Sequence, residues 1–408
     1  MLRATLTLLA GGALAQAMPL LLGPWIARLY TPAEFGLFSL WWQVAANVAA
    51  VGCLRYEFAL PLARSPADAR ALLALCLRVA LAVLLAAVLL AAALGLLRPV
   101  AERPLWAWLP LAAAVGMASQ TLTLWAVRGE RHRAQALARV VQWGGAPVVQ
   151  VALGLAAAGV AGLMAGPLLA GVAACLVLAW PAPEGGWRGL WQVPAADWRA
   201  QARQHADFPR YNAPHAFVSA LQDTLALAVL AWAIGGEAGV AAAGIWALVL
   251  RYLKAPATLV GGAVSQVLYP RLTAVSSPQA AQALVRRMLG LLGLLGALLA
   301  LALMLVGSWL FTWLLGPDWA ASGPLVRALA LYIGLHFVAA PLSVVPMALG
   351  GQRWALRMAV AGQVLFVAAL LVGVHLGGLA GAGWAVSAAM ALYFGWFFAV
   401  LATGTMPR

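Results

Sequence analysis

The chain has 408 residues, of which 65% are hydrophobic and only 9% are charged. Soluble domains carry about 25% charged residues, so this composition excludes an ordinary soluble protein and predicts an integral membrane protein. The net charge of +14 would suggest nucleic-acid binding in a soluble chain, but here we interpret the arginines as topological anchors and expect no nucleic-acid partner.

Twelve apolar stretches are long enough to cross a bilayer as helices, which requires about 20 residues each. We therefore predict an all-α integral membrane protein with twelve transmembrane helices. The predicted spans are residues 4–27, 35–54, 71–97, 105–127, 137–158, 161–180, 212–234, 239–264, 284–312, 324–349, 355–375 and 379–401.

The distribution of positive charges supports twelve spans, with successive loops on alternate sides of the membrane. If the N-terminus is cytoplasmic, only four arginines fall on the outer side: Arg28, Arg98, Arg103 and Arg327. Arg251 and Lys254 fall within a span, and the remaining 19 of the 25 basic residues lie on the inner side. Because short cytoplasmic loops are enriched in Lys and Arg, this bias predicts that both termini are cytoplasmic.

Short internal matches suggest that the chain is a duplicated half. Residues 36–40 (GLFSL) resemble residues 244–248 (GIWAL), and two further matches follow in the same order at similar offsets. We predict two six-helix lobes, 1–180 and 212–408, around a central cavity, because transporters commonly place the substrate site between such repeats. Residues 181–211 form the predicted linker, with tryptophans among arginines that suggest an amphipathic helix on the inner membrane surface.

The most unusual span, 239–264, carries Arg251 and Lys254 near its centre. A charge at mid-bilayer costs about 2.5–3.5 kcal/mol on insertion scales, so it persists only beside water, a counter-charge or an anionic cargo. At helical spacing the two cations share a stripe with small and polar residues, namely Gly244, Ala247, Thr258, Gly262 and Ser265. We expect this stripe to line the wet cavity.

Several motifs resemble those of a known family. They include 28–36 (RLYTPAEFG), 54–61 (LRYEFALP), 208–212 (FPRYN), 251–256 (RYLKAP) and 265–271 (SQVLYPR). In sequence and order they resemble bacterial oligosaccharide flippases, the Wzx-type members of the multidrug/oligosaccharidyl-lipid/polysaccharide exporter superfamily. The likeness covers nearly the whole chain.

The resemblance implies translocation of a polyprenyl-pyrophosphate-linked oligosaccharide, such as a lipopolysaccharide repeat unit on undecaprenyl pyrophosphate, to the periplasmic leaflet. It further implies a location in the bacterial inner membrane, contact with membrane lipid, and polysaccharide assembly proteins as partners. We expect no bound cofactor, metal or enzymatic activity. Energy should come from an ion gradient, with H⁺ or Na⁺ as the candidate coupling ions, from the membrane potential, or from downstream consumption of the product.

Arg251 and Lys254 are the first candidates for the substrate site, where they would meet the pyrophosphate or acidic sugars. The alternative is an internal ion pair with an acid such as Asp223, which lies near the middle of span 212–234. Asp223 is equally a candidate for binding the coupling ion.

Further candidates lie in the first half. Arg55, at the cytoplasmic end of the second span, is either a head-group contact or an interface anchor, and Arg28 is either part of a gate or an outer anchor. Ser39, Gln43 and Asn47 recur every four residues, so they share one face of a helix. That face lines the cavity, hydrogen-bonding sugar hydroxyls, or contacts a neighbouring helix.

Two alternative functions remain open. The first keeps the fold and changes the cargo to the peptidoglycan precursor or a drug. The second is a polysaccharide polymerase or ligase, but such enzymes typically need a large periplasmic loop, and the longest predicted loop here is cytoplasmic.

Overall fold

The computed structural model describes residues 17–97, 106–183, 185–275 and 277–405, and these residues form helices and turns without strands. Within them, eight helices are long and apolar enough to cross a membrane. The main helices are α1 Ala17–Leu29, α2 Pro32–Ala50, α3 Pro66–Leu97, α4 Leu109–Arg128, α5 (132–155, with a π-helical turn at Val140–Gly144), α6 Gly159–Ala179, α7 Ala195–Gln204, α8 Ala213–Ile234, α9 Gly236–Ala274, α10 Pro278–Leu315, α11 Ser322–Leu342 and α12 Gln352–Thr403.

Glycines interrupt the helices at two predicted boundaries between spans. Within α12 the backbone leaves helical geometry at Gly377 and at Gly378, whose φ of 59° favours a residue without a Cβ. The two spans predicted in this region therefore follow one another across a kink. Between α5 and α6, Ala157 and Gly159 both have positive φ. The count of twelve spans stays a prediction. The start of the first span, residues 4–16, lies outside the described residues, as do Arg98 and Arg103.

The chain divides into two compact units. The first comprises Met1–Tyr30 and Leu37–Thr224, and the second comprises Thr31–Gly36 and Leu225–Arg408. The division falls inside α8, which the sequence analysis assigns wholly to the second lobe.

In the first unit the linker segment packs on α3. It forms short helices, including Gly186–Gly189 and α7. The Arg78 guanidinium of α3 donates to the Leu190 and Trp191 carbonyl oxygens at 3.3 and 3.1 Å and lies 5.4 Å from the Trp198 ring. Cation–π contact and hydrogen bonding thus hold the linker to this unit.

In the second unit the start of α2 packs closely on α9. A Cβ on Gly36 would lie 1.9 Å from the Val240 carbonyl oxygen, and a Cβ on Gly244 would lie 2.1 Å from the Pro32 carbonyl oxygen. Small residues allow such close backbone approach between membrane helices. Gly36 and Gly244 are equivalent positions in the predicted repeat, so the two copies of this motif meet at their glycines.

Candidate functional site

The two cations lie on the least packed face of α9. Arg251 is exposed and Lys254 is half-buried, whereas their neighbours Leu250 and Leu253 are buried. Thr258, one turn further on, is exposed, and its hydroxyl donates to the Lys254 carbonyl oxygen at 3.0 Å. From Arg251 onward, the polar stripe is therefore accessible within a helix that is otherwise apolar.

The stripe does not extend unchanged along the whole helix. Gly244, at its start, is buried under α2, and Ser265, near its other end, donates to the Pro341 carbonyl oxygen at 3.3 Å. The accessible part is thus centred on the two cations. Because α9 has 39 residues, or about 58 Å at 1.5 Å per residue, this part lies far from both helix ends.

His336 of α11 adds a side chain that the sequence analysis left unassigned. The imidazole is half-buried, lies within electrostatic reach of the Lys254 ammonium, and packs 5.7 Å from the Tyr332 ring. The sequence separation of 82 residues hides this proximity. No metal-binding or catalytic sequence motif includes His336, so nothing in the sequence indicates its place beside Lys254.

Two other predicted residues lie in the first unit. Asp223 is an exposed residue of α8, and Arg28 is exposed near the end of α1. Arg251 and Lys254 belong to the second unit. The pairing of Asp223 with either cation, and its role in ion coupling, therefore stay predictions.

The predicted polar face of α2 is mostly packed. Ser39 is buried and Gln43 half-buried, whereas the buried Asn47 amide donates to the Gln43 carbonyl oxygen and to the Thr224 hydroxyl of α8. Of the two interpretations of this face, Asn47 thus takes the contact with a neighbouring helix. Its Oδ1 is buried and has no partner among the described residues, so one acceptor remains for a ligand or water.

A strained turn follows α2 and carries Arg55. Leu54 and Arg55 have φ of 48° and 65°, a left-handed conformation that costs a residue with a Cβ about 1–2 kcal/mol. The turn leads into a 3₁₀ helix, Tyr56–Leu62, and places the Arg55 guanidinium 4.2 Å from the centre of the Phe58 ring. Strain of this kind is retained only where the surroundings impose it, which often marks a functional segment.

Glu57, in the same 3₁₀ helix, is buried. Its side chain is 2% exposed, and Oε1 accepts a hydrogen bond of 2.8 Å from the Gln120 amide of α4. Oε2 is buried without a partner in the described parts of the chain. Burial raises the pKa of this carboxyl, although the neighbouring Arg55 partly opposes the shift. The sequence separation of 63 residues kept this pair out of reach of sequence analysis.

The Glu57→Gln substitution is expected to remove a pH dependence of stability. A carboxyl whose pKa is raised on folding contributes stability below its ordinary pKa, and that contribution is lost as pH rises through the raised value. The variant resembles the protonated acid, so its stability relative to that of the wild type should increase from acidic to neutral pH. Thermal unfolding of both purified proteins from pH 4 to 8 measures the difference.

Gln120→Leu provides the matched comparison for this pair. It leaves both carboxylate oxygens of Glu57 without the amide donor and should destabilise the protein by about 1–3 kcal/mol at neutral pH. If the unfolding temperatures of the wild type and Glu57→Gln changed with pH in the same way, the raised pKa of the buried carboxyl would be contradicted.

Among the residues that the structure describes, no group of three or more His, Cys, Asp or Glu side chains is arranged to hold a metal ion. The chemistry available at the cationic stripe is instead the binding of an anion. An arginine fork and a lysine point charge, with a hydroxyl beside them, suit phosphate oxygens.

Comparisons with known proteins support a transporter fold. A model of a family described as polysaccharide biosynthesis protein matches residues 25–324. An inward-facing multidrug resistance transporter of the MATE family and MOP superfamily is 18% identical, with 96% of this chain and 95% of that chain covered and a TM-score of 0.64. The lipid II flippase MurJ, in an inward-closed conformation, is 10% identical, with 100% and 88% covered and a TM-score of 0.65.

A variant of a Vibrio cholerae MATE transporter is also similar, at 16% identity, with 99% and 95% covered and a TM-score of 0.56. No curated protein matches the sequence. At these identities the likeness concerns the fold, and it confirms the predicted class: an all-helical, two-lobed, multi-pass membrane protein.

Proposed function

The chain belongs to the polysaccharide biosynthesis protein family, and from this premise we propose that it translocates a polyprenyl-pyrophosphate-linked oligosaccharide across the membrane. The direction is from the cytoplasmic to the periplasmic leaflet of the bacterial inner membrane, with both termini cytoplasmic. The family match, with the resemblance in the motifs, supports this cargo class, and the arginine distribution supports the orientation.

The observation that carries the proposal is the accessible cation pair, Arg251 and Lys254, far from the ends of a membrane-length apolar helix. Desolvating a pyrophosphate is costly, and fixed cations along the route lower that cost. The similar MurJ is named as a lipid II flippase. A cationic drug would be repelled by two positive charges. These charges therefore favour an anionic cargo over a cationic one.

Translocation would follow alternating access. The anionic head enters from the cytoplasm, meets Arg251 and Lys254, and leaves on the other side after the lobes rock, while the polyprenyl tail stays in the bilayer. Arg55 and Arg28 are candidate contacts at the two ends of this route. Asp223 is the candidate for binding H⁺ or Na⁺, and its protonation would release the cations to the cargo.

The deciding experiment is mass spectrometry of lipid-linked glycans from a strain lacking the gene, with the leaflet assigned by a membrane-impermeant enzyme. We expect single repeat units to accumulate on the cytoplasmic leaflet and to disappear on complementation. The measurement identifies the glycan at the same time as its position.

Other outcomes identify the alternatives. Single units on the periplasmic leaflet would place the block after translocation and indicate a polymerase or ligase. Accumulation of peptidoglycan precursor would indicate the same transport mechanism with that precursor as the cargo. Unchanged lipid-linked glycans would overturn the proposal in favour of an exporter of another molecule.

A further inference from the structure

A cavity of about 890 Å³ lies in the second unit, away from the cation pair. Four segments line it: the end of α9, the start of α10, the loop before α12 with the first turn of α12, and the end of α12. Its size falls within the usual range of ligand sites, about 300–1,000 Å³. All the lining residues belong to one compact unit, so the cavity is a property of that unit alone.

One wall of the cavity is apolar and firmly packed. Leu272, Val285 and Leu401 line it together with Trp354, which is 4% exposed and stacks on Phe397 with ring centres 5.5 Å apart. All four lining residues belong to the hydrophobic core of this unit. This wall can accommodate hydrocarbon and keeps its shape without a ligand.

The rest of the lining includes polar residues and a cation. These are Ser277, Gln282, Gln352, Arg353 and Thr403. Gln282 donates to the Ala402 carbonyl oxygen at 3.0 Å, as does the neighbouring Arg286 at 2.8 Å, which fixes the end of α12. These contacts hold this part of the lining in place and leave Arg353 to interact with a ligand.

Arg353 is exposed and makes no hydrogen bond or ion pair with any residue in the described ranges. The Trp354 indole N–H beside it is buried and also lacks an acceptor among those residues. The exposed Arg353 guanidinium and the unsatisfied Trp354 donor stand at neighbouring positions of the lining, and an anion with several oxygens would supply acceptors for both.

The charge distribution of the second unit points to the same conclusion. Its three acidic residues, Glu34, Glu237 and Asp318, lie near the starts of α2, α9 and α11. The cavity lies at the opposite end of α9, roughly 50 Å from Glu237 along the helix axis. Five arginines are in or within a few residues of the lining segments: Arg271, Arg286, Arg287, Arg353 and Arg357. The one acid between them in sequence, Asp318, precedes α11. The segments that line the cavity therefore carry an excess of positive charge.

We propose that this cavity binds the phosphate of an anionic amphiphile, with Arg353 as its principal contact and the Trp354 wall against its apolar part. Basic pockets between transmembrane helices are known to accept acidic lipid head groups. The same phosphate chemistry could come from a membrane phospholipid or from a soluble phosphate. The site is separate from the cation pair of α9 and does not depend on the transported cargo.

The test uses the full-length protein in detergent micelles, titrated with phosphatidylglycerol or zwitterionic phosphatidylcholine and observed by native mass spectrometry. Phosphatidylglycerol should bind with defined stoichiometry and be retained over phosphatidylcholine. Arg353→Gln should weaken its binding about tenfold or more, and Arg353→Lys should recover part of the loss. Arg357→Gln is the matched control, because it removes the same charge one turn further along α12, outside the cavity.

Competition with inorganic phosphate identifies the source of the ligand. Displacement of phosphatidylglycerol by millimolar phosphate would assign the site to a soluble anion, whereas resistance to it supports the lipid. Equal losses for Arg353→Gln and Arg357→Gln would overturn the proposal, since they would indicate diffuse attraction to a basic surface. Equal retention of both lipids would overturn it as well.

Discussion

Replacing Arg251 and Lys254 together by glutamine is expected to lower translocation at least about a hundredfold. A hydrogen bond to a charged group contributes about 1.5–3 kcal/mol, so the loss of two such contacts to a pyrophosphate costs about 3–6 kcal/mol. Since every 1.4 kcal/mol is a factor of ten, this cost corresponds to a hundredfold or larger decrease. Because Arg251 is exposed and Lys254 only half-buried, the variant should still fold. Transfer of a lipid-linked oligosaccharide in proteoliposomes measures the effect.

Three controls separate binding from a general charge effect. Arg251→Lys and Lys254→Arg keep the charge and should retain much of the activity, although the loss of the bidentate fork should make Arg251→Lys the weaker of the two. Arg271→Gln removes one charge near the end of the same helix and should leave transport nearly unchanged. Wild-type rates for the double glutamine variant would remove the central support of the proposed mechanism.

The Gly244→Ala substitution is expected to destabilise the protein by about 3 kcal/mol or more, which is at the upper end of overpacking effects. The added Cβ would lie 2.1 Å from the Pro32 carbonyl oxygen and 2.6 Å from the Gly36 amide nitrogen, both backbone atoms that cannot rotate away. Helix propensity favours alanine by only about 1 kcal/mol, so the steric conflict dominates. Thermal unfolding and the yield of monodisperse protein in detergent report the loss.

Gly262→Ala is the matched control on the same helix. A Cβ at Gly262 meets no atom within 4 Å, so this variant should be as stable as the wild type or slightly more stable. Equal unfolding temperatures for Gly244→Ala and Gly262→Ala would show that α2 and α9 do not pack at these glycines.

The repeat in the sequence acquires a physical meaning from this contact. The matched stretches 36–40 and 244–248 indicated a duplicated half but gave no reason for the shared glycine. The close approach of Gly36 to α9 supplies that reason, because both backbones must come within van der Waals distance there. A helix end alone would not explain why both equivalent positions, 36 and 244, are glycine.

Composition and hydropathy determined that this is a helical membrane protein, whereas the family followed from the resemblance of its motifs and from the family match over residues 25–324. An apolar run of about 20 residues must form a helix in a bilayer, since only hydrogen bonds within the segment can satisfy its backbone there. The cations of α9 could likewise be recognised from the sequence. Charged residues within an apolar span are costly to insert into the bilayer, so Arg251 and Lys254 indicate a functional site.

Only the tertiary structure decided which side chains meet. Asn47 bonds to Thr224, Glu57 to Gln120, and four separate segments form the cavity beside Arg353. The residues of each pair are at least 63 positions apart, and a polar residue looks the same in sequence whether it faces another helix, a ligand or water. Helical periodicity assigns a side chain to one face of its own helix, whereas its partner depends on how the helices pack.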